Sequence, residues 1–124
     1  MRQTPLLLLS LCAYSVSSLA AEPIPDTASL QVEGIVAFTE GPAWHRDGNV
    51  YFTDIVNNRI MRRDSKGILH VYRAPSGRAN GLMFDSQGRL HACEGAGEGG
   101  NRRVTRTELN GTVTVLAKAF DGKR

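Results

Sequence analysis

The chain has 124 residues, enough for one small domain, and its content of 41% hydrophobic and 22% charged residues is typical of a globular protein. Its 15 basic and 12 acidic residues leave a net charge of +3, which is too small an excess to indicate a nucleic-acid-binding protein. The arginine doublets at 62–63 and 102–103 have no interleaved aromatic residues to serve as stacking platforms. We therefore expect these arginines to lie at a solvated strand edge.

The first segment, residues 1–21, has the pattern of a secretory signal peptide. Arg2 is its only charged residue, residues 6–16 form an apolar run, and the segment ends in small residues at Ala20 and Ala21. The apolar run is too short for a permanent transmembrane helix. We predict cleavage after one of these two alanines, a mature chain without a membrane span, and a secreted or periplasmic location. The alternative is an uncleaved anchor.

The cysteines and histidines argue against a disulfide scaffold and a zinc site. Cleavage would remove Cys12 and leave Cys93 alone, so the mature chain could form no internal disulfide. Its stability would then come from packing or from a bound ion. The histidines at 45, 70 and 91 lie far apart and do not form an HExxH pattern. We expect each of them to be a surface or strand residue.

Residues 22–39 are predicted to be a linker followed by an N-terminal strand. The segment begins with Glu-Pro-Ile-Pro, which favours an extended linker. The apolar stretches at 30–32 and 35–38 are candidate strands.

An internal repeat organises residues 40–124. Residues 40–54 align with residues 80–94 at an offset of 40. The glycine-rich stretch at 95–100 then inserts four residues, and residues 58–72 align with residues 102–116 at an offset of 44. A repeat of this length is typical of proteins built from stacked supersecondary units.

Each copy of the repeat contains four short runs suited to strands, separated by turn residues. In the first copy the predicted strands are 41–44, 49–53, 59–63 and 68–73. In the second copy Asn110-Gly111 is a strong hairpin signal, because both residues accept a positive φ. In several strands successive residues are all apolar, as in Val50-Tyr51-Phe52. Because successive side chains point to opposite faces, this indicates that both faces of the sheet are covered.

Four antiparallel strands in about 40 residues, with both faces covered, are the pattern of a β-propeller blade. We therefore predict an all-β partial propeller, with residues 41–73 and 81–117 forming two four-stranded sheets that pack face to face. Because propellers close with four to eight blades, two blades leave one apolar face open at each end. The chain would therefore be an incomplete ring, or it would assemble with copies of itself.

Oxygen-bearing residues open the first strand of each blade. The repeat places Glu40 and Asn80 at the same point, where the first strands of a propeller line the central channel. Carboxylate and amide oxygens suit a hard cation such as Ca²⁺. The alternative is that both residues cap the turn into the strand. Asp54 and Glu94 end the second strand of each copy, and we expect them to be turn acceptors rather than catalytic acids.

The sequence resembles the senescence marker protein (regucalcin)/gluconolactonase family. The stretch EGPAWHRDGNVYFTDIVNNRI is similar to the opening blade of that family, and GRANGLMFDSQGRLHACEG with RRVTRTELNGTVTVLA is similar to the second blade of its bacterial gluconolactonase-like branch. The resemblance covers residues 33–124. It implies a six-bladed, calcium-dependent β-propeller, of which this chain would be an N-terminal fragment of about two blades.

The resemblance also implies a site and a reaction. The glutamate of the opening motif is a metal ligand in the family, a role that passes to Glu40. The other ligands and the general base would lie beyond Arg124, so no catalytic residue is assigned within the chain, and Asn80 is a candidate substrate-binding residue that lines the pocket. The implied cofactor is a divalent metal, most simply calcium, that polarises the carbonyl of a small-molecule lactone for attack by water.

Two further readings remain open beside a lactone hydrolase. One is a non-catalytic propeller that binds a sugar, a peptide or a protein, and the other is an inactive truncated product. The sequence contains no G-x-S-x-G elbow, P-loop or dinucleotide-binding glycine pattern, which favours a metal mechanism over the common catalytic mechanisms that those motifs would indicate. The expected partners are the lactone and either the remaining blades of a longer chain or further copies of this one.

Overall fold

A computed structural model describes residues 27–29, 32 and 34–123. The chain divides into two units, residues 1–31 and residues 32–124. In the first unit the described residues, 27–29, form no strand. The predicted signal peptide at 1–21 lies outside the described residues, as do most of the linker and two of the three residues of the candidate strand at 30–32.

The second unit is built from eight strands in two antiparallel sheets, each with its strands in sequence order. We call the sheets blade 1 and blade 2. Blade 1 contains β1 (Thr39–Trp44), β2 (Val50–Asp54), β3 (Arg59–Arg63) and β4 (Leu69–Arg73), and blade 2 contains β5 (Leu82–Phe84), β6 (Leu90–Glu94), β7 (Arg103–Thr107) and β8 (Val113–Ala117).

This architecture confirms the predicted all-β partial propeller. The strands of blade 1 begin and end within two residues of the predicted bounds. The described residues contain no helix that could cross a membrane. The predicted turn at Asn110-Gly111 joins β7 to β8, where Gly111 has a φ of 84° and the side chain of Asn110 accepts a 3.0 Å hydrogen bond from the amide of Thr112. Glycine is favoured there because it adopts a positive φ without steric cost.

The hydrophobic core lies between the two blades. Tyr51 and Ile60 of blade 1 pack in one cluster with Leu90 and Ala92 of blade 2. Phe84 adds an edge-to-face contact with the ring of Tyr51 at a centroid distance of 4.9 Å. Burying a side chain the size of isoleucine or leucine contributes about 1.5–3 kcal/mol, so this shared cluster holds the two sheets together.

The candidate strand at 35–38 is wrong, because these residues have no strand structure. The amides of Ala37 and Phe38 each lie 3.3 Å from Oδ1 of Asp54, and the carbonyl of Phe38 accepts a 3.0 Å hydrogen bond from the amide of Ile55. The backbone groups that a strand would need are therefore bonded to the end of β2 and to the turn that follows it. Among the residues that the structure describes, the first strand begins at Thr39.

The other face of each blade carries exposed apolar side chains. Side chains alternate between the faces of a strand, so Trp44, which pairs with Val50, points away from the covered core on the opposite face to Tyr51. We call this side the outer face of blade 1, and the side of blade 2 that carries Met83 and Leu116 the outer face of blade 2. Trp44 is 65% exposed and Met83 is 66% exposed, as expected for two blades of an unclosed ring.

Candidate functional site

Glu40 and Asn80 lie side by side at one end of the two first strands. The hydroxyl of Thr53, which is fully buried, lies 2.9 Å from the carbonyl oxygen of Glu40 and 3.1 Å from that of Asn80. One hydroxyl thus links the start of β1 to the start of β5. We call this end of the inner strands the mouth, and the structure places both sequence-predicted residues there.

Gly41 allows the first strands to approach this closely. Its φ is 51°, and a Cβ at this position would overlap the carbonyl oxygen of Asn80 and lie 2.9 Å from the backbone of Gly81 and Leu82. A side chain at residue 41 would therefore force the blades apart. The glycine of the Glu-Gly-Pro opening is a packing requirement, and it fixes the position of Glu40 beside the second blade.

A cavity of about 480 Å³ lies next to Glu40. It is bounded by the segment that leads into β1 and by the outer face of blade 1, and its lining mixes one acid and one base with apolar side chains: Gly34, Val36, Thr39, Glu40, Pro42, Phe52, Arg63 and Leu69. Asn80 is not among these residues. The structure therefore brings the backbones of Glu40 and Asn80 together, but only Glu40 reaches this cavity.

The donor set at the mouth does not by itself fit a calcium ion. Ca²⁺ takes six to eight oxygen ligands, whereas the mouth offers the carboxylate of Glu40 and the exposed amide of Asn80. Among the residues that the structure describes, no group of three or more His, Cys, Asp or Glu side chains is placed to hold a metal ion. Glu40 can thus be one ligand of a metal site, and further ligands are needed to complete it.

Glu94 is a buried carboxylate of blade 2 that is bonded to four side-chain donors. Its side chain is 1% exposed, with Oε2 lying 2.7 Å from Nε of Arg103 and Oε1 lying 2.9 Å from Nη2 of Arg73. Asn101 and Thr105 donate further hydrogen bonds of 2.6 and 2.9 Å. Burial raises the pKa of Glu94, but the bonds from Arg103, Asn101 and Thr105 outweigh burial and lower it overall. The carboxylate therefore stays ionised and is not suited to donate a proton.

Asp54 occupies the equivalent position in blade 1 and has equivalent partners. Its Oδ2 accepts a 2.8 Å hydrogen bond from Asn57 and lies 2.8 Å from Nη2 of Arg59. Burial raises the pKa of Asp54, and the bonds from Asn57 and Arg59 lower it overall. Both carboxylates thus act as acceptors, as predicted for Asp54 and Glu94. The expectation that Arg103 lies at a solvated edge is wrong, because it pairs with a buried acid.

The three histidines lie beside aspartates of neighbouring turns rather than beside one another. The pairs are His45–Asp47 at 2.9 Å, His70–Asp64 at 2.9 Å and His91–Asp85 at 3.3 Å. The hydrogen bond from His70, with those from the amides of Ile68 and Lys66, lowers the pKa of Asp64 to about 2. These pairs link strand ends to the neighbouring turns, in agreement with the prediction that the histidines are surface or strand residues.

Comparison with known proteins agrees with this geometry. A gluconolactonase from Xanthomonas campestris superposes with a TM-score of 0.65 and 30% identity over 72% of this chain. A structural-genomics target assigned to the gluconolactonases superposes with a TM-score of 0.69 and 31% identity over 81% of this chain. A streptogramin B lyase, at 21% identity and a TM-score of 0.53 over 67% of this chain and 27% of its own, shares the fold alone.

The chain is shorter than these structures, since it spans 29% and 34% of the two gluconolactonase chains. No curated protein matches it in sequence. Residues 38–124, however, match the model of the SMP-30/gluconolactonase/LRE-like region. That match covers all eight strands and the Glu40–Asn80 mouth, and the chain therefore belongs to the SMP-30/gluconolactonase family.

Proposed function

We propose that this chain supplies the first two blades of a metal-dependent lactone hydrolase. Family membership and 30–31% identity to gluconolactonases support the reaction class. The observation that carries the proposal is the position of Glu40, whose backbone is tied to the opening of the next blade through Thr53. A carboxylate held at the mouth of a propeller is well placed to bind a metal ion together with ligands from other blades.

Glu40 would act as a metal ligand, and Asn80 would line the substrate pocket. A carboxylate offers the hard, anionic oxygen that Ca²⁺ favours, and an amide can both donate to and accept from the hydroxyls of a sugar lactone. When bound, a divalent ion supplies a Lewis acid for the lactone carbonyl. Because the described residues do not complete a metal site, we expect the 124-residue chain alone to bind Ca²⁺ weakly and to hydrolyse lactone slowly at best.

We propose that the protein is secreted or periplasmic. Residues 1–21 would act as a secretory signal peptide that is cleaved off after Ala20 or Ala21. Mass spectrometry of the protein recovered from the periplasm or the medium of a bacterial host would show the new N-terminus. Recovery of the protein only in the cytoplasm, with residues 1–21 intact, would count against this part of the proposal.

The test of function compares Glu40→Gln with the wild type in the product of the complete gene. Glutamine keeps the size and one acceptor oxygen but removes the charge that offsets a divalent cation. We expect at least a tenfold loss of Ca²⁺ affinity by calorimetry, or about 1.4 kcal/mol, with a parallel loss of sugar-lactone turnover. Glu98→Gln is the matched control, because Glu98 is exposed in the glycine-rich loop. Unchanged affinity and turnover in Glu40→Gln would refute the metal role.

A further inference from the structure

The chain contains two Asn-Gly pairs in unlike surroundings. Asn80-Gly81 precedes β5 at the mouth, and Asn110-Gly111 lies in the turn between β7 and β8. Both asparagines are exposed to solvent. In an Asn-Gly pair the backbone nitrogen of the second residue can reach the side-chain carbonyl carbon of the first with little hindrance, because glycine has no side chain. The two pairs therefore share one chemistry and differ in how the fold holds them.

In the hairpin pair both reacting groups are held by hydrogen bonds. The amide of Gly111 donates a 2.9 Å hydrogen bond to the carbonyl of Glu108, so the nitrogen that would attack is already engaged. The side-chain oxygen of Asn110 accepts a 3.0 Å hydrogen bond from the amide of Thr112, which restrains rotation of the side chain. Both bonds have to break before the nitrogen can reach the side-chain carbon.

The mouth pair lacks both restraints. Within the part of the chain that the structure describes, nothing accepts a hydrogen bond from the amide of Gly81 and nothing bonds to the side chain of Asn80. The backbone of Asn80 is nevertheless fixed, because its amide donates a 2.9 Å bond to the carbonyl of Cys93 and its carbonyl lies 3.1 Å from the hydroxyl of Thr53. A nitrogen without a partner beside a side chain that can rotate favours attack at this pair.

We propose that Asn80 is a site of spontaneous deamidation, which adds a carboxylate to the mouth. The nitrogen of Gly81 loses its proton and forms a bond to Cγ of Asn80, and the side-chain amide group leaves with a proton as ammonia. Water then opens the cyclic succinimide at one of its two carbonyl carbons, which gives aspartate or isoaspartate at residue 80. Either product carries a carboxylate, and the reaction consumes only water.

The new charge lies at the same end of the inner strands as Glu40. The backbone carbonyls of Glu40 and Asn80 share the hydroxyl of Thr53, so deamidation places a second carboxylate on the neighbouring strand. Ca²⁺ prefers several oxygen ligands, and its affinity depends on how many of them are charged. This effect on a metal ion rests on the proposed role of Glu40, whereas the deamidation itself does not.

Peptide mapping by mass spectrometry, after incubation of the purified chain at mildly alkaline pH, tests the proposal. The mass gain that marks the change of an amide to an acid should accumulate several-fold faster at residue 80 than at residue 110. In urea the fold no longer distinguishes the two pairs, and the rates should converge. Gly81→Ala is the matched variant, because a Cβ there meets only the side chain of Cys93, at 3.9 Å. Its methyl group hinders the attack and should slow the change at residue 80 alone.

Equal rates at the two sites in the folded chain, or a faster change at residue 110, would overturn the proposal. The effect on the metal is measured in the product of the complete gene, where Asn80→Asp should bind Ca²⁺ several-fold more tightly than the wild type by calorimetry. Unchanged affinity in Asn80→Asp, beside a clear loss in Glu40→Gln, would overturn the link from deamidation to the metal. Unchanged affinity in both variants would refute the metal role of Glu40 instead.

Discussion

Arg73 of β4 reaches across to Glu94 of β6, and Nη2 of the arginine lies 2.9 Å from Oε1 of the glutamate. The side chains are only 12% and 1% exposed, so this is a buried ion pair between the two blades. The same arginine donates a 2.9 Å hydrogen bond to the carbonyl of Ser76 in the connection between the blades. The pair therefore fixes both the second sheet and the segment that leads to it.

Glu94→Gln should lower the stability of the chain by about 3 kcal/mol, because removing one partner of a buried ion pair leaves uncompensated charge on Arg73 and Arg103. Urea unfolding followed by circular dichroism measures the change. Glu108→Gln is the control, since Glu108 pairs with Arg106 near the surface, and we expect little change there. Both variants should be compared at one protein concentration, because association would make stability concentration-dependent. Equal losses in the two variants would contradict the buried role of Glu94.

The stability of the chain should fall in acid. The folded pKa of Glu94 lies below its ordinary value of 4.5, so the stabilisation from its ionised form is fully present above about pH 4.5 and is lost as the pH falls through the folded value. The lowered pKa values of Asp54, Asp64 and Asp85 act in the same direction. The difference in unfolding free energy between the wild type and Glu94→Gln should therefore shrink as the pH is lowered from neutral to well below 4.5. A difference that stays constant over this range would show that the charge of Glu94 is unimportant.

The sequence was sufficient for the strands because their signals are local and occur twice. Turn residues bound each run, and the offsets of 40 and 44 carry the assignments in blade 1 to blade 2, where Asn110-Gly111 marks the last hairpin. The same reasoning predicted a strand at 35–38 that the structure does not have. That segment is apolar, but its amides bond to the side chain of Asp54, and a local pattern does not reveal such a tertiary partner.

The site was less predictable than the fold. The repeat placed Glu40 and Asn80 at equivalent points, and the structure brings their backbones together. Nothing in the sequence indicated that Arg73 pairs with Glu94, since the two residues lie 21 positions apart and Ala117 replaces the arginine in the second copy. The equivalence of Asn57 and Arg59 with Asn101 and Arg103 was a usable signal, because side chains that repeat beside a repeated acid are candidates for its hydrogen-bond partners.

Gly41→Ala should destabilise the chain by at least about 2 kcal/mol, because the new methyl group needs a positive φ and overlaps the backbone of β5. Gly48→Ala is the matched control. Gly48 also has a positive φ, of 88°, but the nearest atom to a Cβ there is Cβ of Ser65 at 3.7 Å. The control should therefore cost only about 1 kcal/mol. Similar losses for the two variants in urea unfolding would mean that the blades do not approach closely at Gly41.

Thr53→Val tests the link between Glu40 and Asn80. Valine keeps the shape and the strand preference of threonine but removes the hydroxyl that both carbonyl oxygens share. Leaving a buried acceptor without a donor costs about 1–3 kcal/mol, and because these two acceptors are part-buried, urea unfolding should show a loss of about 1 kcal/mol. Thr53→Ser keeps the hydroxyl and should retain the bond, although it loses a buried methyl group. Thr112→Val, at an exposed position, should leave stability close to that of the wild type.

The same variants separate a structural role of Thr53 from a role in organising the mouth. In the product of the complete gene, Thr53→Val should weaken Ca²⁺ binding by calorimetry because the backbone of Glu40 is no longer held against that of Asn80. Thr53→Ser should bind Ca²⁺ as the wild type does, even if its unfolding midpoint is lower. If both variants bind Ca²⁺ with wild-type affinity, the shared hydroxyl stabilises the fold and has no part in placing Glu40.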